Sequence, residues 1–268
     1  MDFKDKIVLI TGGCSGIGKI MARKVLERGA SHLVILDINE VGLAETKAEF
    51  LKFGKTISTY PINLGIREQI IDIAQKVKSE VGYIDVLINN AGVVTGTYFH
   101  EHTHDQIDFN MSINSLAPMH LTLEFLPGMI ERNVGHVCTI ASSAGLVSNP
   151  KMSVYAASKW AALGWSDSVR LEMEKLKKNV HFTSFLPYYI NTGMFDGVKS
   201  RIVPILDPEK TAEKILKSIE SHKKIVATPL PFWFIRLSQG ILPLKIYDWV
   251  MGNVLGIYDT MSDFKGRK

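Results

Sequence analysis

Short apolar runs rich in β-branched residues recur along this chain. Each is followed by a longer stretch in which apolar residues return every three or four positions. The first run, Lys6 to Thr11, reads as a buried strand and leads into the turn Gly12-Gly13-Cys14-Ser15-Gly16-Ile17-Gly18. A helix is expected from Ile17 to about Arg28, stopped by Gly29. Further strands are expected at His32–Leu36, Thr56–Ile62, Ile84–Ile88, Gly135–Ile140, Val180–Leu186 and Lys224–Ala227. Helices are expected between them, at Glu40–Phe53, Arg67–Glu80, Ser153 to about Lys177, and Pro208 to about Ser221. Thr103-His104-Asp105-Gln106 has capping-box spacing and predicts one long helix to about Glu131, kinked or broken near Pro118.

This alternation predicts an α/β fold, with a seven-stranded parallel sheet wound doubly and helices on both faces. Runs such as Ile7-Val8-Leu9-Ile10 are apolar throughout, as a sheet covered on both sides requires. With 268 residues and no repeat or linker, a single domain over residues 1–268 is expected, with 228–268 as an apolar helical extension. The composition, 46% hydrophobic and 22% charged, is that of a globular chain. A net charge of +4 without a clustered basic stripe argues against nucleic acid as a partner. Cys14 and Cys138 suggest neither a disulfide framework nor a zinc site, so a reducing, cytoplasmic compartment is expected. The charged opening Met1-Asp2-Phe3-Lys4 does not read as a signal peptide, and no run of about 20 apolar residues spans a membrane.

Chemistry gathers at the expected carboxyl ends of the strands. Tyr155 and Lys159 lie four residues apart, on one face of the expected helix, and Ser142 lies just beyond the fifth strand. A cation beside a phenol favours the phenolate and should lower the Tyr155 pKa. A hydroxyl at Ser142 could hold a substrate oxygen next to it, which is equipment for moving a proton on or off a carbonyl or alcohol oxygen. The glycine turn between strand and helix suits a pyrophosphate at the helix N-terminus. Asp37, about twenty residues on, can accept from ribose hydroxyls and would repel a 2′-phosphate. Neither Cys14 nor Ile38 is a cation, so NAD is favoured over NADP. Asn89-Asn90-Ala91-Gly92 would let the backbone pass close to a cofactor.

Together, Thr11 to Gly18, Asn89 to Gly92, Asn114, Ser142, Tyr155-x-x-x-Lys159 and Pro187 with Thr192 resemble the short-chain dehydrogenase/reductase family, in order and spacing over nearly the whole chain. The resemblance implies a Rossmann fold and gives Tyr155 the role of general acid/base. Lys159 would tune Tyr155 and hold the nicotinamide ribose, Ser142 would orient the substrate oxygen, and Asn114 would help place the lysine and a relay water. Cofactor contacts are implied for Gly12, Ser15, Gly16, Ile17, Gly18, Asp37, Ile38, Asn63, Leu64, Asn90, Ala91, Gly92, Tyr155, Lys159, Pro187, Ile190 and Thr192, with no metal. Asn191 to Gly197, Ile205 to Pro208 and the tail from Pro229 resemble the branch holding epidermal retinol dehydrogenases and lipid-droplet 17β-hydroxysteroid dehydrogenases.

That branch implies an oxidoreductase transferring hydride between NAD(H) and a lipophilic alcohol or carbonyl, such as a retinol-, steroid- or long-chain-alcohol-like molecule. It also implies a homodimer or homotetramer. A carbonyl reductase of a more polar ketone, and a non-catalytic NAD-binding sensor or scaffold, are the alternatives. Three departures stand out: no counterpart of the branch's N-terminal membrane segment is expected from these residues, Asn63 stands where Asp is usual, and Tyr188-Tyr189 follow Pro187 in place of the common glycine. His100, His102 and His104 alternate, but a polar loop before a helix is a more ordinary reading than a metal site. The apolar tail from Phe232 to Met251 could meet a membrane or lipid surface, cap the pocket, contact a second subunit or join the core. Met194 to about Val203 reads as a lid over the substrate.

Overall fold

The computed structural model describes residues 1–229 and 231–266, with only the backbone described at 231–233. Strands β1 (Ile7–Thr11), β2 (His32–Asp37), β3 (Thr56–Pro61), β4 (Val86–Asn89), β5 (Gly135–Ile140), β6 (Val180–Pro187) and β7 (Ile225–Thr228) form one parallel sheet in the order β3-β2-β1-β4-β5-β6-β7. The chain winds outward from β1 to β3, returns beside β1 as β4, then winds the other way. The connections leaving β1 and β4 therefore diverge and open a crevice at their carboxyl ends.

Helices α1 (Gly16–Glu27), α2 (Glu40–Phe50), α3 (Arg67–Glu80), α4 (His104–Met111), α5 (Ala117–Arg132), α6 (Ser153–Lys175) and α7 (Pro208–Glu220) flank this sheet. Alternate residues of one strand serve opposite faces. Val8 and Ile10 pack with Met21 and Val25 of α1 and Ile215 of α7. Leu9, between them, packs with Ile70 and Val77 of α3 and Leu121 of α5. This is why the strands are apolar throughout. A third apolar cluster lies beyond the carboxyl ends of β5 to β7 and includes Val147, Met152, Tyr155, Tyr189 and Met251.

The helix expected to run unbroken from Thr103 to about Glu131 is divided. Its capping box forms: Gln106 N donates to Thr103 Oγ1 at 3.2 Å, and Thr103 N donates to Gln106 Oε1 at 3.1 Å. Between α4 and α5, Ser112–Leu116 widens into a π turn. Pro118 carries no N–H for the carbonyl four residues back, that of Asn114, and the wider turn absorbs the missing bond. The break therefore falls before the proline and places Asn114 within it.

The C-terminal extension folds as α8 (Pro231–Ile241) and α9 (Leu244–Trp249), followed by a π turn at Val250–Val254 and a 3-10 turn at Ile257–Asp259. Tyr247 and Met251 are buried, so part of the tail is core. Phe234, Leu237, Ile241, Leu244 and Trp249 are exposed. The side chains of Phe232 and Trp233, also named in the sequence reading, lie outside the described residues. No described helix is long and apolar enough to cross a membrane.

Candidate active site

One cleft of about 330 Å³ runs along the carboxyl edge of the sheet, from Asp37 and Leu64 at one end to Tyr155, Phe195 and Ile257 at the other. Every expected cofactor position lines it: Gly12, Ser15, Gly16, Ile17, Gly18, Asp37, Ile38, Asn63, Leu64, Asn90, Ala91, Gly92, Tyr155, Lys159, Pro187, Ile190 and Thr192. Ser142 lines it too. Asn114 stands behind it.

At the glycine turn the first helix sits directly on the end of β1. A Cβ at Gly18 would lie 2.0 Å from the Gly12 carbonyl oxygen and 2.6 Å from Asn90 Nδ2, so no larger residue fits. Ser15 caps α1 without a side-chain bond, and the first turn holds no acidic residue. Its free N–H groups thus give a partly positive end suited to an anion. Asn90 braces this turn: its Nδ2 donates to Thr11 O at 2.9 Å and to Gly12 O at 3.2 Å. Thr11 Oγ1 in turn accepts from the N–H groups of Asn90 and Ala91. The Asn90 amide therefore shapes the cradle from behind.

Asp37 ends β2 with both oxygens anchored. Oδ2 accepts from Cys14 N at 3.0 Å and Oδ1 from Asn39 N at 3.1 Å. This fixes the carboxylate against the glycine turn while leaving lone pairs for ribose hydroxyls. Burial, with the Asp37 charge beside it, pushes the Cys14 thiol up to about 12, so it remains protonated. Asn63 folds its Oδ1 back onto Gly65 N at 2.9 Å, which leaves its amide donor for the cleft.

The other end holds Ser142, Tyr155 and Lys159. Ser142 Oγ accepts from Ala144 N at 3.1 Å, and its hydroxyl opposes the effect of burial on the Tyr155 phenol. Lys159 Nζ lies 5.7 Å from the centre of the Tyr155 ring and donates to Ile140 O at 3.0 Å. The expected lowering of Tyr155 is not found. Burial is the larger effect: it pushes Tyr155 up to about 12 against the opposing pull of Ser142, and it brings Lys159 down to about 8. A lysine partly neutral near pH 8 is a weaker partner for a phenolate than a fixed cation would be.

The Asn114 side chain makes its direct bonds away from the lysine. Its Oδ1 accepts from Val93 N at 2.9 Å, and its Nδ2 donates to Val93 O at 2.8 Å and Ser158 Oγ at 3.0 Å. It clamps the segment after β4 to α6, and Ser115 adds a bond to Ser158 O at 2.8 Å. Sequence reasoning gave no role to Thr11, Ser115 or Ser158, though Thr11 opens the glycine motif and Ser158 lies within Tyr155-x-x-x-Lys159.

The wall near Tyr155 is apolar. Phe195 meets the Tyr155 ring edge-on at 6.0 Å and the Tyr189 ring at 5.0 Å. Val147, Met152 and Ile257 complete it. A second group missed in sequence lies here: Asn149 Nδ2 donates to Tyr189 OH at 3.1 Å and to Thr260 Oγ1 at 2.8 Å. His100 stacks on Tyr98, and His102 packs against Phe99.

Comparison with known proteins agrees with this geometry. The family model described as short chain dehydrogenase matches residues 6–202. Epidermal retinol dehydrogenase 2 of Mus musculus is 36% identical over 268 residues, covering 98% of this chain and 86% of its own. Estradiol 17-beta-dehydrogenase 11 of Macaca fascicularis is 35% identical over 261 residues, covering 97% and 87%. A short chain dehydrogenase/reductase from Burkholderia phymatum, solved with NAD, superposes with a TM-score of 0.81 at 22% identity, over 90% of this chain and 95% of its own. A short-chain dehydrogenase from Sphingobium yanoikuyae, solved with NADPH, does so at 0.78 and 23%, over 88% and 94%.

Proposed function

The chain belongs to the short-chain dehydrogenase family, and from that premise we propose that it oxidises a lipophilic alcohol, or reduces the matching carbonyl, with NAD(H). It is an oxidoreductase acting on CH–OH groups with a nicotinamide cofactor. The observation that carries the finer reading is the single cleft joining an anchored carboxylate at Asp37 to a buried Ser142, Tyr155 and Lys159 among apolar walls.

The residues present fit a dinucleotide. The free N-terminal turn of α1 and the glycine backbone would hold the pyrophosphate, and Asp37 the adenosine ribose. Lys159 would hold the nicotinamide ribose. Asp37 favours NAD, because a 2′-phosphate would meet its charge, and Cys14 and Ile38 offer no cation in exchange. The bound cofactor supplies the hydride chemistry. In oxidation, Ser142 holds the hydroxyl oxygen and Tyr155, as phenolate, takes its proton. In reduction the same phenol returns it. Lys159 favours the phenolate whenever it carries its charge. The apolar wall excludes water and rewards a lipophilic substrate by about 0.8 kcal/mol per buried CH₂.

Two further features accompany this reading. Leu123 of α5 and Trp160 and Leu171 of α6 are exposed, which supports pairing of these helices in a homodimer or homotetramer. Exposed Phe234, Ile241, Leu244 and Trp249, with exposed Arg236 and Lys245 among them, support peripheral contact with a lipid surface.

NAD⁺ reduction with all-trans-retinol, a hydroxysteroid and a long-chain alcohol, with NADP⁺ in parallel, tests the reading. Turnover with one of these and NAD⁺ is the expected result. Turnover confined to polar ketones would overturn the substrate class.

A further inference from the structure

Residues 193–203 leave the sheet and return to it. Their base is closed where Ile190 bridges Leu206, with Leu206 N donating to Tyr189 O at 2.8 Å and Asn191 N to Leu206 O at 3.1 Å. Phe195, on this excursion, lies edge-on to the Tyr155 ring, and Val198 and Val203 are buried in the same apolar cluster. The excursion is held down from the far end of the chain. Lys199 N donates to Thr260 O at 3.3 Å, and Lys265 N to Asp196 O at 2.9 Å. A Cβ at Gly197, which has φ +85°, would fall 2.1 Å from Asp263 O, so the two backbones touch there. Lys199 Nζ also pairs with Asp263 at 2.7 Å, but both side chains are largely exposed and water screens the pair.

The segment that grips the excursion is itself anchored by one buried hydroxyl. Thr260 is 2% exposed. Its Oγ1 donates to Ile257 O at 2.9 Å, accepts from Asn149 Nδ2 at 2.8 Å, and is 3.0 Å from Tyr189 OH. Asn149 lies on the loop that begins with Ser142, and Tyr189 follows β6. Thr260 thus ties the tail to both loops that frame Tyr155. Removing the hydroxyl would take one buried bond from each of Asn149, Tyr189 and the Ile257 carbonyl, a larger loss than that of the exposed ion pair.

We propose that residues 257–264 latch the 193–203 excursion over the substrate end of the cleft, with Thr260 as the positioning residue that holds Phe195 against Tyr155. The proposal deepens the dehydrogenase reading and rests on it for its kinetic consequence. Phe195 is part of the wall that meets the substrate, so the fit of that wall beside Tyr155 is set by the tail as well as by the loop itself.

Hydrogen exchange on the full chain reads the latch without any substrate. In Thr260→Val, peptides covering 193–203 should exchange roughly ten-fold faster, while those covering β1 to β2 keep their rates. Thr260→Ser, which keeps the hydroxyl, should match the wild type. In turnover assays Thr260→Val should raise KM for the alcohol several-fold with NAD⁺ affinity unchanged. Gly197→Ala is the second probe, since its methyl forces loop and tail apart without touching Thr260. It should speed the same peptides. Unchanged exchange at 193–203 in a folded Thr260→Val or Gly197→Ala protein would overturn the latch. If no alcohol is turned over by the wild type, the dehydrogenase reading fails while the exchange result still decides the latch.

Discussion

Lys159 Nζ donates to the backbone carbonyl of Ile140 at 3.0 Å, and this bond ties the ammonium to the end of β5. The lysine is therefore held by the strand that also delivers Ser142.

Burial brings Lys159 from an ordinary 10.5 to about 8. Between these values the folded protein binds fewer protons than the unfolded chain. The stability this group contributes is present above 10.5 and is lost as pH falls toward 8. Lys159→Met should thus be more stable than the wild type at pH 7, by about 3 kcal/mol, and the gap should close above pH 10.5. Denaturant titration at the two pH values checks this. Turnover should fall at least about 100-fold in the same variant.

His136, His181 and His222 meet at the opposite edge of the sheet, with the His181 and His222 rings 3.8 Å apart and His136 5.5 Å from His222. His136 is wholly buried, bonds Thr183 Oγ1 through Nε2, and has no partner for Nδ1. Burial holds all three below the ordinary 6.5, and for His136 and His222 neighbouring imidazoles add to the effect. Their contribution is present above 6.5 and is lost as pH drops below it. Melting temperature should fall between pH 7 and pH 5, and His222→Gln should flatten that fall. An equal slope in the variant would contradict the assignment.

Asp37 holds the Cys14 and Asn39 N–H groups and faces the cleft. Asp37→Ser should weaken NAD⁺ binding by roughly ten-fold to a hundred-fold and reduce the preference over NADP⁺. Fluorescence titration with both cofactors reads it.

Asn114 makes three bonds that close the π turn onto Val93 and Ser158. Asn114→Ala leaves the Val93 groups unpaired and should cost about 2 kcal/mol. A loss confined to turnover, with stability intact, would show that the residue acts on the chemistry directly.

The strand–helix alternation, the glycine turn, Asp37, Ser142 and Tyr155 with Lys159 were legible in sequence because each rests on local spacing or on a strand end. The π turn was half legible. Pro118 marks a break, but the missing N–H is felt four residues earlier, at Asn114. The Tyr155 pKa was misread because a neighbouring cation is visible in sequence and burial is not. Thr260 was invisible: it meets Asn149 across 111 residues, and no periodicity links the two.

In the proposed mechanism the Tyr155 hydroxyl moves the proton but is not required for NAD to bind. Turnover and NAD⁺ affinity of Tyr155→Phe, measured side by side, test it most directly. Turnover should fall by at least about 100-fold with NAD⁺ binding retained. Wild-type turnover in the variant would contradict it.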